Sequence, residues 1–197
     1  SAPLEEISFG SFSQTQKHIP GYPMGGYWAQ DVQRDANGAP ILTGSGGVTL
    51  EEDKVFVGPS TPTREVGFTN TFTLFDNFRI FSNLDYKGGN LQWCAICSIR
   101  GRIDLNTFTH NRPDSDPTEI AVIRSQQTTR WIKEADFVKL RELSLTYQIP
   151  ASATESIGVS GASLTVSGRN LWMWTKYHFD EEGPGLGSAD PEGNFSS

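Results

Sequence analysis

The sequence predicts an all-β protein in which antiparallel hairpins form a small β-sandwich or an open-barrel-like sheet with long loops. Two observations support this fold class. Apolar and polar residues alternate through residues 66–86 and again through residues 135–149, which is the period of a strand with one buried face. The sequence also lacks an apolar run of about 18 residues, the length that a transmembrane helix requires.

The chain has 197 residues, and we predict a single domain over residues 1–197. The low hydrophobic content of 36% is concentrated in 12 Phe, 5 Trp and 5 Tyr, whose side chains bury large areas. The net charge of −7 argues against a nucleic-acid partner, because binding to phosphates requires clustered Lys and Arg.

Residues 1–65 form a loop-rich opening segment in the predicted fold. Asn37 followed by Gly38 suits the corner of a hairpin, because both residue types tolerate left-handed backbone angles. Residues 44–47 provide a second flexible connection. The first residues contain neither a Met nor the basic and apolar regions of a signal peptide, so we expect a processed or truncated end.

Residues 66–86 contain the clearest hairpin of the sequence. A tight turn is predicted at Asp76 and Asn77, two residue types that adopt left-handed backbone angles in two-residue turns. Alternation places apolar residues on one face of each arm: Val66, Phe68, Phe72, Leu74, Phe78, Ile80, Leu84 and Tyr86. Each arm of about 9–10 residues fits a tilted strand across a bilayer and also a soluble hairpin with one wet face.

The region from residue 90 to residue 134 has no clear period, and residues 91–99 fit either a short helix or a short strand. It contains both cysteines of the chain, Cys94 and Cys97. A zinc site would require two further ligands, and the sequence has no second cysteine pair. We therefore predict a local disulfide formed in an oxidising compartment, or two buried thiols.

Residues 131–150 form the strand around which the fold is predicted to be organised. Its apolar residues alternate with polar ones, but the alternation changes phase once. Val138 and Leu140 occupy even positions, whereas the later apolar residues occupy odd ones: Leu143, Leu145, Tyr147 and Ile149. The phase changes at the adjacent charged residues Arg141 and Glu142. A β-bulge there would return all these apolar residues to one face. Pro150 ends the strand because it cannot donate a backbone hydrogen bond.

Residues 131–177 are predicted to form paired late strands, and the second strand ends in a dense aromatic cluster. The cluster consists of Trp172, Met173, Trp174 and Tyr177. Three roles remain open for it: a buried core, the interfacial girdle of a barrel, or a contact with a partner protein. We predict a partner or membrane contact for these residues.

The sequence supplies no convincing catalytic, cofactor-binding or metal-binding set. The histidines His18, His110 and His178 lie far apart, and no serine or cysteine nucleophile motif accompanies them. The carboxylates at positions 180–182 are of the type that binds a hard cation, but their spacing matches no calcium loop. We therefore predict a protein that is not an enzyme and that binds no cofactor or metal.

Two stretches of the sequence resemble late barrel strands of SusC/RagA-type TonB-linked outer-membrane transporters. The first occupies residues 135–150, and the second, which contains Val-Ser-Gly-Arg-Asn-Leu-Trp, occupies residues 166–177. Residues 21–28, Gly-Tyr-Pro-Met-Gly-Gly-Tyr-Trp, resemble a third phrase of that family. The resemblance implies a segment near the C-terminal end of a TonB-dependent receptor barrel, truncated at both ends. It also implies a family that imports glycans or peptides with a lipoprotein partner.

The resemblance leaves two functional interpretations. In the first, the chain is a non-enzymatic structural or interaction subunit derived from a transporter fragment. It docks from the periplasmic side on other protein subunits of a larger membrane complex, for which a photosynthetic reaction centre with its antenna is one candidate. In the second, it is part of the barrel wall of a nutrient importer that works with a surface lipoprotein and TonB. Both interpretations place the protein in the cell envelope of a Gram-negative bacterium, at the periplasmic face or in the outer membrane.

The exposure of one set of apolar residues distinguishes the two arrangements. A barrel wall predicts that these residues face lipid while the threonine-rich face lines the lumen, whereas a sandwich predicts that they meet in one dry core: Phe68, Phe72, Ile80, Leu84 and Leu145.

Overall fold

The structure is a computed structural model that describes residues 6–9, 16–125, 129–155, 158–178 and 190–192. The chain divides into two compact units. Unit 1 comprises Ser1–Thr63, Gly89–Asp136 and Thr175–Ser197, and unit 2 comprises Arg64–Gly88 and Phe137–Trp174. The assignment of residues 1–197 to a single domain remains a prediction.

Unit 1 contains two small antiparallel sheets. The first has the order β1-β2-β3-β4, with strands of only three or four residues: β1 (Ile7–Phe9), β2 (Gln16–His18), β3 (Gly26–Ala29) and β4 (Val55–Gly58). The second pairs the strands at Leu91–Trp93 and Ile132–Glu134, which are numbered β7 and β8 in chain order. The described part of residues 1–63 therefore contains four short strands among its loops.

The hairpin corner predicted at Asn37 and Gly38 is confirmed. Gly38 has a positive φ of 84°, and its backbone N–H donates to the carbonyl of Asp35 at 3.0 Å. The flanking residues Arg34 and Pro40 form an antiparallel bridge. The Asp35 carboxylate also accepts from the N–H groups of Asn37 and Ala39, so the turn is stabilised from within.

Short helices occupy most of the region without a clear period. They are α1 (Ala95–Arg102), α2 (Phe108–Asn111) and α3 (Pro117–Arg124), followed by a 3₁₀ turn at Thr129–Trp131. α3 begins where the side chain of Asp116 accepts from the N–H of Thr118, with a proline in the first turn. Helices of four to eight residues are too short to give a clear period in the sequence. Among the described residues, none of the helices is long and apolar enough to cross a membrane.

The core of unit 1 contains two clusters of buried side chains. The larger one joins α1 and α3 to the 3₁₀ turn and to Tyr177, and its members are Cys94, Cys97, Ile123, Trp131 and Tyr177. The smaller one consists of Tyr27, Ala29 and Ile132, and the half-buried Trp93 packs against both.

Unit 2 is one antiparallel sheet of long strands in the order β10-β9-β6-β5. The strands are β5 (Arg64–Leu74), β6 (Phe78–Gly88), β9 (Phe137–Ile149) and β10 (Ala162–Thr175). A single turn of helix, α4 (Ala151–Thr154), follows β9 directly after Pro150. The predicted all-β class is confirmed, and unit 2 has the form of an open sheet.

The turn between β5 and β6 differs by one residue from the prediction. Leu74 pairs with Phe78, which leaves a three-residue connection. The left-handed backbone angles fall on Phe75 and Asp76, with φ values of 50° and 61°. The predicted turn at Asp76 and Asn77 was therefore wrong in its position. Asn77 instead donates from its side chain to the carbonyl of Gln148 at 2.9 Å, which ties the turn to the end of β9.

The predicted strand over residues 131–150 is interrupted at Ala135 and Asp136. Both residues are buried, and Asp136 accepts hydrogen bonds from two other segments. Its carboxylate accepts from the N–H of Gly89 at 2.8 Å, and its carbonyl accepts from the hydroxyl of Thr175 at 3.0 Å. The sequence has no Gly or Pro at this break, so a single strand was the natural interpretation.

The predicted β-bulge at Arg141 and Glu142 is confirmed. Asn83 of β6 pairs with Glu142, and the next residue, Leu84, pairs with Leu140. Two residues of β9 therefore lie opposite one residue of β6, as in a bulge. Apolar residues before and after it consequently share one face of the sheet.

Candidate functional site: the two faces of the four-stranded sheet

One face of the unit 2 sheet is formed largely by apolar side chains, and we call it the apolar face. The register pairs Phe68 with Leu84 and Phe72 with Ile80, and the same rows continue onto β9. The main contributors on the three registered strands are Val66, Phe68, Phe72, Leu74, Phe78, Ile80, Leu84, Tyr86, Val138, Leu140, Leu143, Leu145 and Tyr147.

The apolar face is open to the surroundings. Phe68 and Phe72 are 56% and 55% exposed, and Leu145 is 45% exposed. Ile80 and Leu84 are half-buried. A dry sandwich core would bury all these side chains, so the open-sheet arrangement is the one observed. An exposed apolar surface spread over several strands is typical of contact with lipid or with another protein.

The opposite face is rich in hydroxyl groups and charges, and we call it the polar face. One row across the sheet consists of Thr73, Arg79 and Thr146, and the Thr146 hydroxyl lies 2.9 Å from that of Thr165 on β10. A second row pairs Thr69 with Asn83 and Glu142. The sheet is therefore two-faced, as a barrel wall between lipid and water is.

An ion pair fixes the bulge on the polar face. The guanidinium of Arg141 donates to one carboxylate oxygen of Asp85 from two nitrogens, at 2.7 and 3.2 Å. Both side chains are largely covered, which favours a charge-assisted contact over an exposed ion pair. The extra residue of the bulge therefore has a partner of its own.

β10 contains a second irregularity, which determines where its tryptophans point. Asn170 has a positive φ of 51°, and a Cβ added to Gly168 would lie 2.7 Å from Cδ2 of Leu171. Gly168 and Leu171 therefore share a face, although three positions separate them. Since Thr165 lies on the polar face, Gly168 and Leu171 lie on the apolar face. Alternation after Leu171 then places Trp172 and Trp174 on the polar face, where they are 54% and 46% exposed.

Tyr177 has a different environment from the rest of the predicted aromatic cluster. It is only 4% exposed and belongs to the core of unit 1. Its hydroxyl donates to the carbonyl of Trp93 at 3.5 Å, while the N–H of Trp93 donates to the hydroxyl of Tyr27 at 3.2 Å. Burial raises the pKa of Tyr177 to about 12 and also raises the pKa of Tyr27. The contact role predicted for the cluster is therefore restricted to Trp172, Met173 and Trp174, for which it remains a prediction.

Cys94 and Cys97 are joined by a disulfide at the beginning of α1. Both side chains are buried beside Trp131 and Tyr177. The Sγ atom of Cys94 also accepts from the N–H of Cys97 at 3.2 Å and caps the helix. The pair thus lies in the core and presents no accessible reactive sulfur.

Two of the histidines have local structural contacts. His18 Nδ1 accepts from the N–H of Gly25 at 3.0 Å, and His110 Nδ1 lies 2.7 Å from the hydroxyl of Thr107. Burial, together with the nearby charge of Arg124, lowers the pKa of His110. The described residues contain no cluster of three or more His, Cys, Asp or Glu suited to a metal ion. The carboxylates at positions 180–182 lie outside the described residues.

The chain is similar in sequence to two receptors of Formosa agariphila. It is 28% identical to TonB-dependent receptor P3 over 161 residues, which cover 78% of this chain and 15% of that receptor. It is 23% identical to TonB-dependent receptor P26 over 191 residues, which cover 82% of this chain and 19% of that receptor. The chain thus spans less than a fifth of each relative. No family model matches it.

The fold is similar to part of a solved importer. The RagAB peptide importer in its closed-closed state matches with a TM-score of 0.65 and 17% identity, covering 90% of this chain and 22% of that one. The open-open state gives a TM-score of 0.61 and 19% identity, covering 90% of this chain and 21% of that one. At these identities the match establishes the fold.

The two-faced open sheet and these similarities relate the chain to a segment of TonB-dependent receptors. The chain is related to SusC/RagA-type receptors, which confirms the resemblance of residues 135–150 and 166–177. The predicted localisation in the Gram-negative cell envelope is confirmed by the same relationship.

Proposed function

We propose that this chain forms part of the barrel wall of a SusC/RagA-type outer-membrane importer of glycans or peptides. The observation that carries the proposal is the apolar face, which lies open across strands of 11 to 14 residues. A tilted strand of about 9–11 residues spans the hydrocarbon core of a bilayer, so these strands are long enough. The apolar face contacts lipid, and the polar face lines the aqueous path.

The role of the chain in this proposal is non-enzymatic. It separates lipid from water and presents polar side chains to the solute, and no covalent step is involved. The partners that accompany the proposal are a surface lipoprotein and TonB. TonB is supported by the names of the two relatives, which are proteins several times longer than the matched segment, and the surface lipoprotein is what the resemblance to the SusC/RagA family implies.

A pair of substitutions on β5 tests the assignment of the two faces. Phe72 and Thr71 are neighbours on the strand and lie on opposite faces. Phe72→Arg is expected to make insertion less favourable by up to about 2–4 kcal/mol, the cost of a cation at the midplane of a bilayer. Thr71→Arg, the matched control, is expected to leave the yield of folded protein in the membrane unchanged. Equal yields for the two variants would contradict the proposal.

A second candidate function is a structural or interaction subunit that docks on other subunits of a membrane complex from the periplasmic side. The observation that favours it is the position of β5 at the end of the sheet, where its outer edge is available to another polypeptide. The comparisons lend no support to a reaction-centre complex as that partner, and we do not propose it.

A photoreactive side chain at position 72 separates the two candidates in the native membrane. Under the barrel-wall proposal it is expected to crosslink mainly to lipid. Under the docking proposal it crosslinks to a polypeptide of one defined mass. The corresponding probe at position 71 serves as the control, because it lies on the polar face.

A further inference from the structure

The polar face of the sheet is positively charged, in contrast to the chain as a whole. Its strand residues include five basic side chains, Arg79, Lys87, Arg141, Arg169 and the buried Lys139, against three acidic ones, Glu65, Asp85 and Glu142. The chain as a whole has a net charge of −7. A separation of water and lipid requires only polarity on this face, so the excess of cations needs a separate explanation.

Arg79 lies in a row that offers hydrogen bonds and no carboxylate. Its cross-strand neighbours are Thr73 on β5 and Thr146 on β9, and the hydroxyl of Thr165 extends the row onto β10. The side chain of Arg79 is exposed. A guanidinium flanked by hydroxyl donors is a suitable environment for a carboxylate or sulfate group.

Arg169 provides a second cation on the same face. Its Nε lies 3.8 Å from a carboxylate oxygen of Glu142, and its side chain is 79% exposed. The contrast with Arg141 is informative, because Arg141 is held by two short hydrogen bonds to Asp85. An exposed pair at this distance contributes little, so Arg169 can exchange its contact with Glu142 for a ligand anion.

Trp172 and Trp174 lie next to Arg169 on β10, with their exposed rings on the polar face. Exposed indole rings have flat apolar surfaces that stack on the faces of sugar rings, while hydroxyl rows bind sugar hydroxyls. The distance from the row of Arg79 to Arg169 corresponds to four residues of β10, about 13 Å along the strand. A ligand of several monosaccharide units spans it.

We propose that the polar face binds an acidic oligosaccharide, with Arg79 and Arg169 pairing with its carboxylate or sulfate groups and Trp172 stacking on a sugar ring. This inference rests on the proposed function, in which the polar face lines the path of the solute. To the proposed function, the inference adds that the transported solute is negatively charged, and it names the residues that select this charge.

The experiment measures binding to the full-length protein that carries this chain, in detergent, by calorimetry. The probes are a short oligogalacturonate and its fully methyl-esterified form, which has the same sugar backbone without the charge. Arg79→Gln and Arg169→Gln are each expected to weaken binding of the acid about tenfold, the loss of one charge-assisted contact, with little effect on the ester. Arg64→Gln is the control, because it removes the same charge from a β5 position that alternation places on the apolar face.

Trp172→Ala is expected to weaken binding of the acid and of the ester by similar factors, since stacking does not depend on ligand charge. Equal affinity of the unchanged protein for the acid and the ester would overturn the proposal, as would equal effects of the Arg64 and Arg79 substitutions. Preferential binding of an acidic peptide such as oligoglutamate would overturn the assignment to a sugar. The crosslinking at position 72 is independent of all these results, so the barrel-wall proposal can stand while this one fails.

Discussion

Two buried tyrosines hold the backbone of Trp93 from both sides in the core of unit 1. Tyr27 accepts from the N–H of Trp93, and Tyr177 donates to its carbonyl. Both phenols are largely removed from water, which disfavours their charged forms. The folded protein therefore retains these protons more tightly than the unfolded chain does.

This proton retention predicts a loss of stability at high pH. The contribution of Tyr177 is fully present below about pH 10, the ordinary pKa of tyrosine, and is lost as the pH rises toward about 12. We expect the free energy of unfolding to fall by on the order of 1 kcal/mol over this window, less than full burial would give. Urea unfolding at pH 9 and at about pH 11.5 measures the difference. Tyr177→Phe should reduce the alkaline loss, whereas the exposed-site control Tyr22→Phe should retain it.

Gly101 tests the packing of the same core. A Cβ at this position would lie 2.5 Å from Cη2 of Trp131 and 3.1 Å from Cγ2 of Ile123. Gly101→Ala is expected to destabilise the protein by about 1–2 kcal/mol, because overpacking outweighs the better helix propensity of alanine. Gly44→Ala is the control, since its Cβ would meet no atom within 4 Å. Thermal unfolding compares the two, and equal midpoints would contradict the packing described.

At the scale of the element, the bulge in β9 preserves the apolar face. In a regular strand without a bulge, Leu140 and Leu143 would point to opposite sides of the sheet, because they are three positions apart. The ion pair between Arg141 and Asp85 gives the bulge a polar partner on the other face. β9 thus combines an uninterrupted apolar surface with an irregular backbone.

Two single-residue deletions in β9 test this function of the bulge. Deletion of Glu142 removes the extra residue and leaves every apolar side chain on its present face, so we expect the protein to fold. Deletion of Ser144 moves Leu145 and Tyr147 to the polar face, so we expect most of the folded protein to be lost. Resistance to protease in membranes measures both. If the two deletion variants fold equally well, the side of the sheet on which the apolar residues of β9 lie does not determine whether the protein folds in the membrane.

Much of unit 2 could be predicted from the sequence, because its strands are long and amphipathic. Alternation identifies the faces of β5, β6 and β9, and the adjacent charges Arg141 and Glu142 mark the bulge. The short helices of unit 1 could not be predicted, since eight residues give little periodicity. The break at Asp136 was missed because its cause is contact with Gly89 and Thr175, which are distant in sequence.

The residues of the polar face were also missed at the sequence level. Arg79 and Arg169 occupy polar positions of alternating strands, where the ordinary interpretation is a solvated face. Their significance depends on cross-strand neighbours, which only the register reveals. For Trp172 and Trp174, the irregularity at Asn170 determines the face, and a positive φ at that asparagine cannot be inferred from alternation.

At the scale of the whole molecule, the two-faced sheet of unit 2 accounts for the relationship to TonB-dependent receptors. Four long strands keep apolar side chains on one side and hydroxyls with cations on the other. Such a sheet is stable where lipid covers the first side and water the second. Unit 1, with its own core and disulfide, carries the remaining segments of the chain.

The most direct test of the central claim is fluorescence quenching by lipids brominated on their acyl chains. A single cysteine is introduced in turn at positions 66–74 of the full-length protein and labelled with a fluorophore. The two cysteines of this chain do not react with the label, because they are bonded to each other. The account predicts quenching that alternates along β5, strong at positions 66, 68, 72 and 74 and weak at positions 67, 69, 71 and 73. Uniform quenching, or none at the first set, would contradict the assignment of the apolar face to lipid.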